Sequence, residues 1–404
     1  MELLAIHLGA MGRIRLLPSV RETARAGRID RLMGCARDDA DGGLVTTGLD
    51  RRGFLRRGVG VTAGTTLLTV GGGGLLAACG SDDDGDSTSG GAGAGSFGTL
   101  SMRLSWIKNA EFAGEYVADQ RGYYKAAGFS GVNLIAGGPS ATPQDTDVAT
   151  GKAFIGISSP DITGTAIAQG APLKIIGAQY QKNPFAILSL AKSPLRTPQD
   201  MIGKKIGVQA TNESVWSAFL KANKLDPSSI TKVPVEFDPL PLTTGTVDGW
   251  FAFVTNEPNL LRVKGFDVTT FLLADHNYPL VSETFMVTDG SIAKNRDKVK
   301  AALTAEIRGW KDATADASLG ARLAATVYGK DLGLDEKEQG LESADQNKLI
   351  LTEETKKNGL FTLTDTLVEE NIATLKLAGV DITAEKLFDL SIIRELYKEK
   401  PNLV

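Results

Sequence analysis

The sequence predicts an α/β protein of two lobes, each a mostly parallel sheet flanked by helices, with a ligand cleft between them. Three observations predict it. From Leu100 onward short apolar runs alternate with helix-forming stretches, the pattern of right-handed βαβ units. The pattern occurs twice, and the second block opens at Thr197-Pro198-Gln199-Asp200. The 404 residues, 42% hydrophobic and 23% charged, are enough for two or three domains with full cores.

In chain order, the elements begin with a strand. Leu100, Met102, Leu104 and Trp106 alternate with polar residues, which makes a strand ending at Trp106. Phe112 to Ala127 reads as a helix stopped by Gly128. Val132–Ile135, Phe154–Ile157, Leu173–Ala178 and Phe185–Leu190 read as strands, with helices starting near Thr142-Pro143 and near Asp161. In the second block come strand Lys205–Gln209, helix Glu213–Ala222, strands Lys232–Phe237 and Gly249–Val254, helix Asn256–Lys264 and strand Asp267–Leu273. Glu283–Thr288 is one more strand, and nearly everything after Lys294 is helical in pattern. The resulting division places the first lobe at 99–190, the second at 191–282, and a return strand with C-terminal helices at 283–404. Hinge strands are expected near Ser189–Lys192 and Ser282–Thr284.

The N-terminal part differs in composition. Lysine is absent before Lys108, and residues 1–78 hold 11 Arg against 7 acidic residues, while the remainder carries a net charge of −8. Asp50-Arg51-Arg52-Gly53-Phe54-Leu55-Arg56-Arg57 precedes a modest apolar run rich in Gly and Thr, the layout of an export signal at 50–78. Its arginine pair resembles a twin-arginine signal. Leu76-Ala77-Ala78-Cys79-Gly80 resembles a bacterial lipobox, with Cys79 as the lipidated residue. Residues 79–98, acidic and then Ser/Gly/Ala-rich, read as a flexible tether. Residues 1–49 form an extension without a usable motif, and Met33 is one alternative start.

Several function classes are excluded. A pI of about 5.5 lacks the basic face that nucleic acid requires. Two cysteines, Cys35 and Cys79, and two histidines, His7 and His276, give neither a disulfide framework nor a metal cluster, so no metal and no cofactor are expected. No G-x-S-x-G elbow, phosphate loop or H-E-x-x-H motif occurs, so no catalytic residue is assigned. A triad would have to run through His276, more simply a loop histidine. Gly137-Gly138-Pro139-Ser140 is most simply a turn, with an unspecific anion nest as its alternative.

Aromatic and amide side chains concentrate instead at the carboxyl ends of strands. The candidate ligand-binding residues are Trp106, Asn109 and Glu111 after the first strand, Ser158, Ser159 and Asp161 after the third, and Tyr180 and Asn183 after the fourth. Asn212 and Glu257 are their counterparts in the second lobe. Flat rings with polar handles suit a planar heterocycle that is stacked and read at its edge. The competing reading makes each aromatic core and each amide a cap. Phe112, Tyr123 and Trp310 are assigned to the core, and Trp106 and Tyr180 are left open.

Trp106-Ile107-Lys108-Asn109-Ala110-Glu111-Phe112-Ala113-Gly114-Glu115-Tyr116, Arg121-Gly122-Tyr123-Tyr124-Lys125, Gly151-Lys152-Ala153-Phe154-Ile155-Gly156, Gln181-Lys182-Asn183-Pro184, Pro198-Gln199-Asp200-Met201-Ile202-Gly203-Lys204 and Thr255-Asn256-Glu257-Pro258 form an ordered set. Together they resemble the thiamine-pyrimidine-synthase-like and aliphatic-sulfonate-binding superfamily, over about residues 100–290. The resemblance implies a periplasmic-binding-protein fold of the type with two crossovers, and delivery of solute to an ABC importer. Where members handling the thiamine pyrimidine resemble W-x-P-N-x-N-H-x-G, this chain has Lys108 at the proline and Phe112 at the histidine. Phe112 cannot serve as the reactive histidine of the synthase branch.

The expectation is therefore an exported lipoprotein, anchored through Cys79 to the outer face of the cytoplasmic membrane. It would be a monomer that captures a small heteroaromatic nutrient (a thiamine-pyrimidine precursor or a riboflavin-like molecule) and hands it to an ABC permease without performing chemistry. The alternatives are a thiamine-pyrimidine-synthase-type enzyme, or a sulfonate, nitrate or taurine binder. The latter would want a cation or several convergent N–H groups facing the anion, and no arginine stands at an expected strand end.

Overall fold

Two five-stranded mixed sheets with flanking helices carry the structure, a computed structural model that describes residues 96–138, 141–236 and 238–404. The arginine-rich signal, Cys79, most of the tether, Pro139-Ser140 and Phe237 lie outside the described residues. The first sheet is built from β1 (Thr99–Arg103), β2 (Gly131–Ile135), β3 (Ile155–Ser158), β4 (Leu173–Tyr180) and β10 (Ser282–Thr288), in the order β2-β1-β3-β10-β4. The second is built from β5 (Phe185–Leu190), β6 (Lys205–Gln209), β7 (Thr231–Val235), β8 (Gly249–Phe253) and β9 (Val268–Leu272), in the order β7-β6-β8-β5-β9.

The two sheets share one plan. β1 pairs in parallel with β2 and β3, and β6 with β7 and β8. The fourth strand of each runs against its neighbours: β10 is antiparallel to β3 and β4, and β5 to β8 and β9. A short connection forces this. Only Gln181–Pro184 separate β4, in the first sheet, from β5, in the second, too few residues to carry the chain back to the far end of either sheet. β5 therefore enters its sheet from the side at which the parallel strands end. Phe185 pairs with Phe253, and Ser282 with Tyr180. The carboxyl ends of the parallel strands in both sheets thus face one seam.

Three expectations are corrected. Phe185–Leu190 belongs to the second sheet, so the chain leaves the first lobe at 181–184 rather than near Ser189–Lys192, and it returns through 273–281, just ahead of Ser282–Thr284. An apolar run shows that a strand is buried on both faces but not in which sheet. The first strand ends at Arg103 rather than Trp106, and residues 104–109 are irregular. An arginine does then stand at a strand end, but Arg103 is committed: its guanidinium donates to the Ala136 and Thr142 carbonyls at 2.5 Å each and pairs with Asp147 at 3.4 Å. The helix expected over 112–127 is divided. Ala113–Gln120 and Tyr123–Ala126 are separate, because Gly122 turns the chain at φ 70°.

Helices after β10 cover the first sheet, and Glu336–Ile350 and Asp365–Leu377 also touch helices of the second lobe. Asp335 caps the former by accepting from the Glu338 N–H at 2.8 Å. Among the described residues no helix is long and apolar enough to cross a membrane. Phe112 and Trp310 are fully buried, as assigned, whereas Tyr123 is half-exposed and stacks under Arg308 at 3.9 Å. The tightest helix contact sets Ala113–Gln120 against Arg296–Ala315. There a Cβ on Gly309 would lie 2.2 Å from the Gly114 carbonyl oxygen and 2.8 Å from the Ala118 Cβ.

Gly309→Val should accordingly destabilise the fold by about 1–3 kcal/mol or more, because neither backbone can retreat. Gly340→Ala, where an added Cβ meets nothing within 4 Å, should instead stabilise its helix by about 0.5–1 kcal/mol. Urea unfolding of both variants checks the contrast, and equal midpoints for the two would refute the packing account.

Candidate functional site

Residues just beyond the carboxyl ends of the strands line the seam, and the segment after β1 occupies its centre. Ser105 donates to Glu283 Oε2 at 2.6 Å and lies 3.4 Å from Glu111 Oε1, so two carboxyls remote from each other in sequence flank one hydroxyl. Glu283 sits within β10 at φ 46°, a left-handed conformation that costs a non-glycine residue about 1–3 kcal/mol. Asn109 donates through Nδ2 to Glu342 Oε1 at 2.7 Å.

Helix Glu336–Ile350 supplies the opposite wall. Its Gln339 accepts from the Ala110 N–H at 2.6 Å and donates to Glu342 at 2.8 Å and Glu338 at 2.6 Å. Gln346 donates to the Ala110 carbonyl at 2.8 Å and accepts from the Tyr180 hydroxyl at 2.7 Å. The same helix reaches the second lobe, where Asp345 accepts from Asn259 at 3.0 Å and pairs with Arg262 at 3.3 Å. From that lobe comes Glu257, buried, with Oε2 accepting from the Phe253 N–H at 2.9 Å.

The electrostatics are one-sided. Burial first, then the charges of Glu283 and Glu342, holds the Glu111 carboxyl well above the ordinary carboxylate range. Glu342 is raised likewise by burial and then by Glu338, and Glu283 is raised by burial. Burial pushes Glu257 up to about 7. Glu115, which accepts from Gln179 Nε2 at 2.6 Å, is pushed by burial to about 8. Among the described residues no three carboxylate, histidine or cysteine side chains converge in a way that could hold a metal ion.

The structure thus gathers four of the candidate residues, Asn109, Glu111, Tyr180 and Glu257, into one hydrogen-bonded and electrostatically coupled group. Trp106 is half-buried against the hydrophobic core beside it. The other candidates are differently employed. Ser158 donates to Asp145 at 3.2 Å and Ser159 to Asp161 at 2.5 Å, a separate knot that includes Thr163. Asn183 pins the crossover: its Oδ1 accepts from the Phe185 N–H at 2.7 Å and its N–H donates to Leu280 at 2.8 Å. Asn212 precedes helix Glu213–Ala222 but makes no side-chain cap, donating instead to Gln209 at 2.9 Å. His276 packs edge-on against Phe271, with ring centroids 5.1 Å apart.

Glu283, Gln339, Glu342 and Gln346 escape the sequence reading. In a helix, positions 339, 342 and 346 share one face, but a polar face ordinarily means solvent, and only its docking on Ala110 buries it. Hollows of about 420 and 530 Å³ lie elsewhere, one on the outer surface beside Arg308 and Lys400, the other beside Gln181 and Leu280 at the crossovers.

The chain belongs to the NMT1/THI5 like family, whose profile matches residues 109–318. It is 28% identical over 234 residues to a riboflavin-binding protein, RibY, of Chloroflexus aurantiacus, covering 54% of this chain and 63% of that one. A putative thiamine biosynthesis protein of Haemophilus influenzae is 26% identical over 210 residues, covering 51% and 66%. Both matches span less than two thirds of the relative's own length. In structure the chain is similar to the periplasmic aliphatic sulphonate binding protein SsuA of Escherichia coli, with TM-score 0.54 and 15% identity over 73% of this chain and 91% of that one. This likeness shows the periplasmic-binding-protein fold.

The raised carboxyls make stability depend on pH. Unfolded, such groups titrate near 4.5, whereas in the fold Glu257 titrates at about 7 and Glu115 at about 8. The native state binds more protons across that interval, so stability should fall as pH rises from about 4.5 to about 8. Urea midpoints should be lower at about pH 8 than at about pH 5, and Glu115→Gln with Glu257→Gln should reduce the difference. A wild-type midpoint that rises over the interval would contradict the assignment.

Proposed function

We propose that this family member is the solute-binding protein of an ABC-type importer and captures a small heteroaromatic nutrient, of thiamine-pyrimidine or riboflavin type, between its lobes. The observation that carries the reading is the seam itself. Polar groups from both lobes and from helix Glu336–Ile350 converge on it, buried and placed to read the edge of a flat molecule. Trp106, half-buried beside them, would supply a ring face for stacking. A relative named as a riboflavin-binding protein supports the same class.

Binding needs only closure. The adjoining crossovers, Gln181–Pro184 and 273–281, are the places where two sheets can rotate about each other. A synthase-type reaction finds little support, since Phe112 is sealed in the core and His276 is engaged with Phe271. Export and anchoring through Cys79 complete the proposal and set the chain beside its permease.

The purified protein should carry or bind its ligand at about 1:1 without turnover. Mass spectrometry of the co-purifying molecule identifies it, and release of a chemically altered product would sink the binding-protein reading. Trp106→Ala should weaken binding of the identified molecule by roughly ten- to a hundred-fold, from lost stacking and buried area. Unchanged affinity together with a large fall in Tm would assign Trp106 to the core instead. Cys79→Ala should yield unlipidated protein. Intact, unmodified Cys79 in native membranes would remove the anchor.

A further inference from the structure

The acidic groups of the seam lack what buried charges normally require. Among the described residues, no lysine, arginine or histidine side chain bonds to Glu111, Glu283 or Glu342. Arg103 is paired with Asp147, Lys182 with Asp275 and Arg262 with Asp345. Buried carboxyls left in this state are expensive unless a partner arrives or a proton stays.

One further atom points the same way. Asn109 is 5% exposed, and while its Nδ2 holds Glu342 its Oδ1 has no hydrogen-bond partner. It is a spare acceptor next to an acidic group that already has an excess of acceptors. Such a constellation is complementary to a donor that carries positive charge, and it repels an anion.

We propose that the seam takes a planar nitrogen base in its cationic form, with N–H donors sharing a delocalised positive charge, as in an amidinium or aminopyrimidinium group. The N–H edge would face Glu111, Glu283 and Asn109 Oδ1, with Glu342, held by Asn109 and Gln339, adding its field from the helix side. A carboxylate receives such a flat, forked donor in two parallel hydrogen bonds, one to each oxygen. Because the groups are packed on one another here, the ligand enters only when the lobes separate. The inference rests on the seam being the solute site, and it adds the sign of the solute's charge.

A charge series at constant shape tests it: calorimetric titration of the full-length protein with benzamidine, benzamide and benzoate at neutral pH. Benzamidine should bind about ten-fold or more tightly than benzamide, the scale of a charge-assisted pair, and benzoate should bind weakest. In the Glu283→Gln/Glu342→Gln variant the ratio of benzamidine to benzamide affinity should fall toward one. If that variant does not fold, the wild-type series decides alone. Equal or tighter binding of benzamide or benzoate, or no benzamidine binding at millimolar concentration, overturns the proposal. A preference for benzamide with a neutral co-purifying heterocycle would leave the importer reading standing. A benzamidine preference in a protein that transforms its ligand would do the reverse.

Discussion

The rest of the architecture depends on the reversal of one strand in each sheet. β5 and β10 each cross from the other lobe and insert against the direction of their neighbours. That insertion turns the carboxyl ends of both parallel sets toward one seam and sets the two crossovers side by side, where the Asn183 N–H meets the Leu280 carbonyl at 2.8 Å. Without it the segments after β1 and β8 would have no reason to meet. The position of the site is therefore a property of topology, and its chemistry a property of the few residues placed there.

Helix Glu336–Ile350 is the unusual member of this arrangement. Most helices dock by an apolar stripe, but this one buries Gln339, Glu342 and Gln346 against the backbone and side chains of 109–112. Each of those contacts satisfies a polar group that would otherwise be stranded in the seam. The amides are well matched: Gln339 takes the Ala110 N–H and Gln346 the Ala110 carbonyl. The carboxyls are not, and the helix consequently brings acidity into the site.

Much of the fold is legible in the sequence because strands covered on both faces are continuous apolar runs; β4 and β8 are buried almost throughout. What is not legible depends on neighbours remote in sequence. Nothing in Phe185–Leu190 says which sheet receives it. Trp106 continues an alternation that the chain abandons at Arg103, whose guanidinium is held by the carbonyls of Ala136 and Thr142. For the site, residues close behind strands could be named from sequence, and Asn109, Glu111, Tyr180 and Glu257 do lie together. Glu283 and Glu342 could not. One owes its direction to a left-handed backbone inside a strand, the other to a helix whose polar pattern resembles a solvated surface.

The interleaving also fixes an order in time. All five strands of the second sheet come from the unbroken stretch 185–272, whereas the first sheet waits for residues 282–288 to fill the gap between β3 and β4. A chain emerging from the ribosome therefore holds every strand of one sheet while the other still has open edges at Ile155–Ser158 and Leu173–Tyr180. Closing that gap joins segments about a hundred residues apart, the slow, entropically costly kind of contact. The lobe whose strands begin first is the last that can be finished, and during that delay its unpaired edges are the part of the molecule most exposed to aggregation.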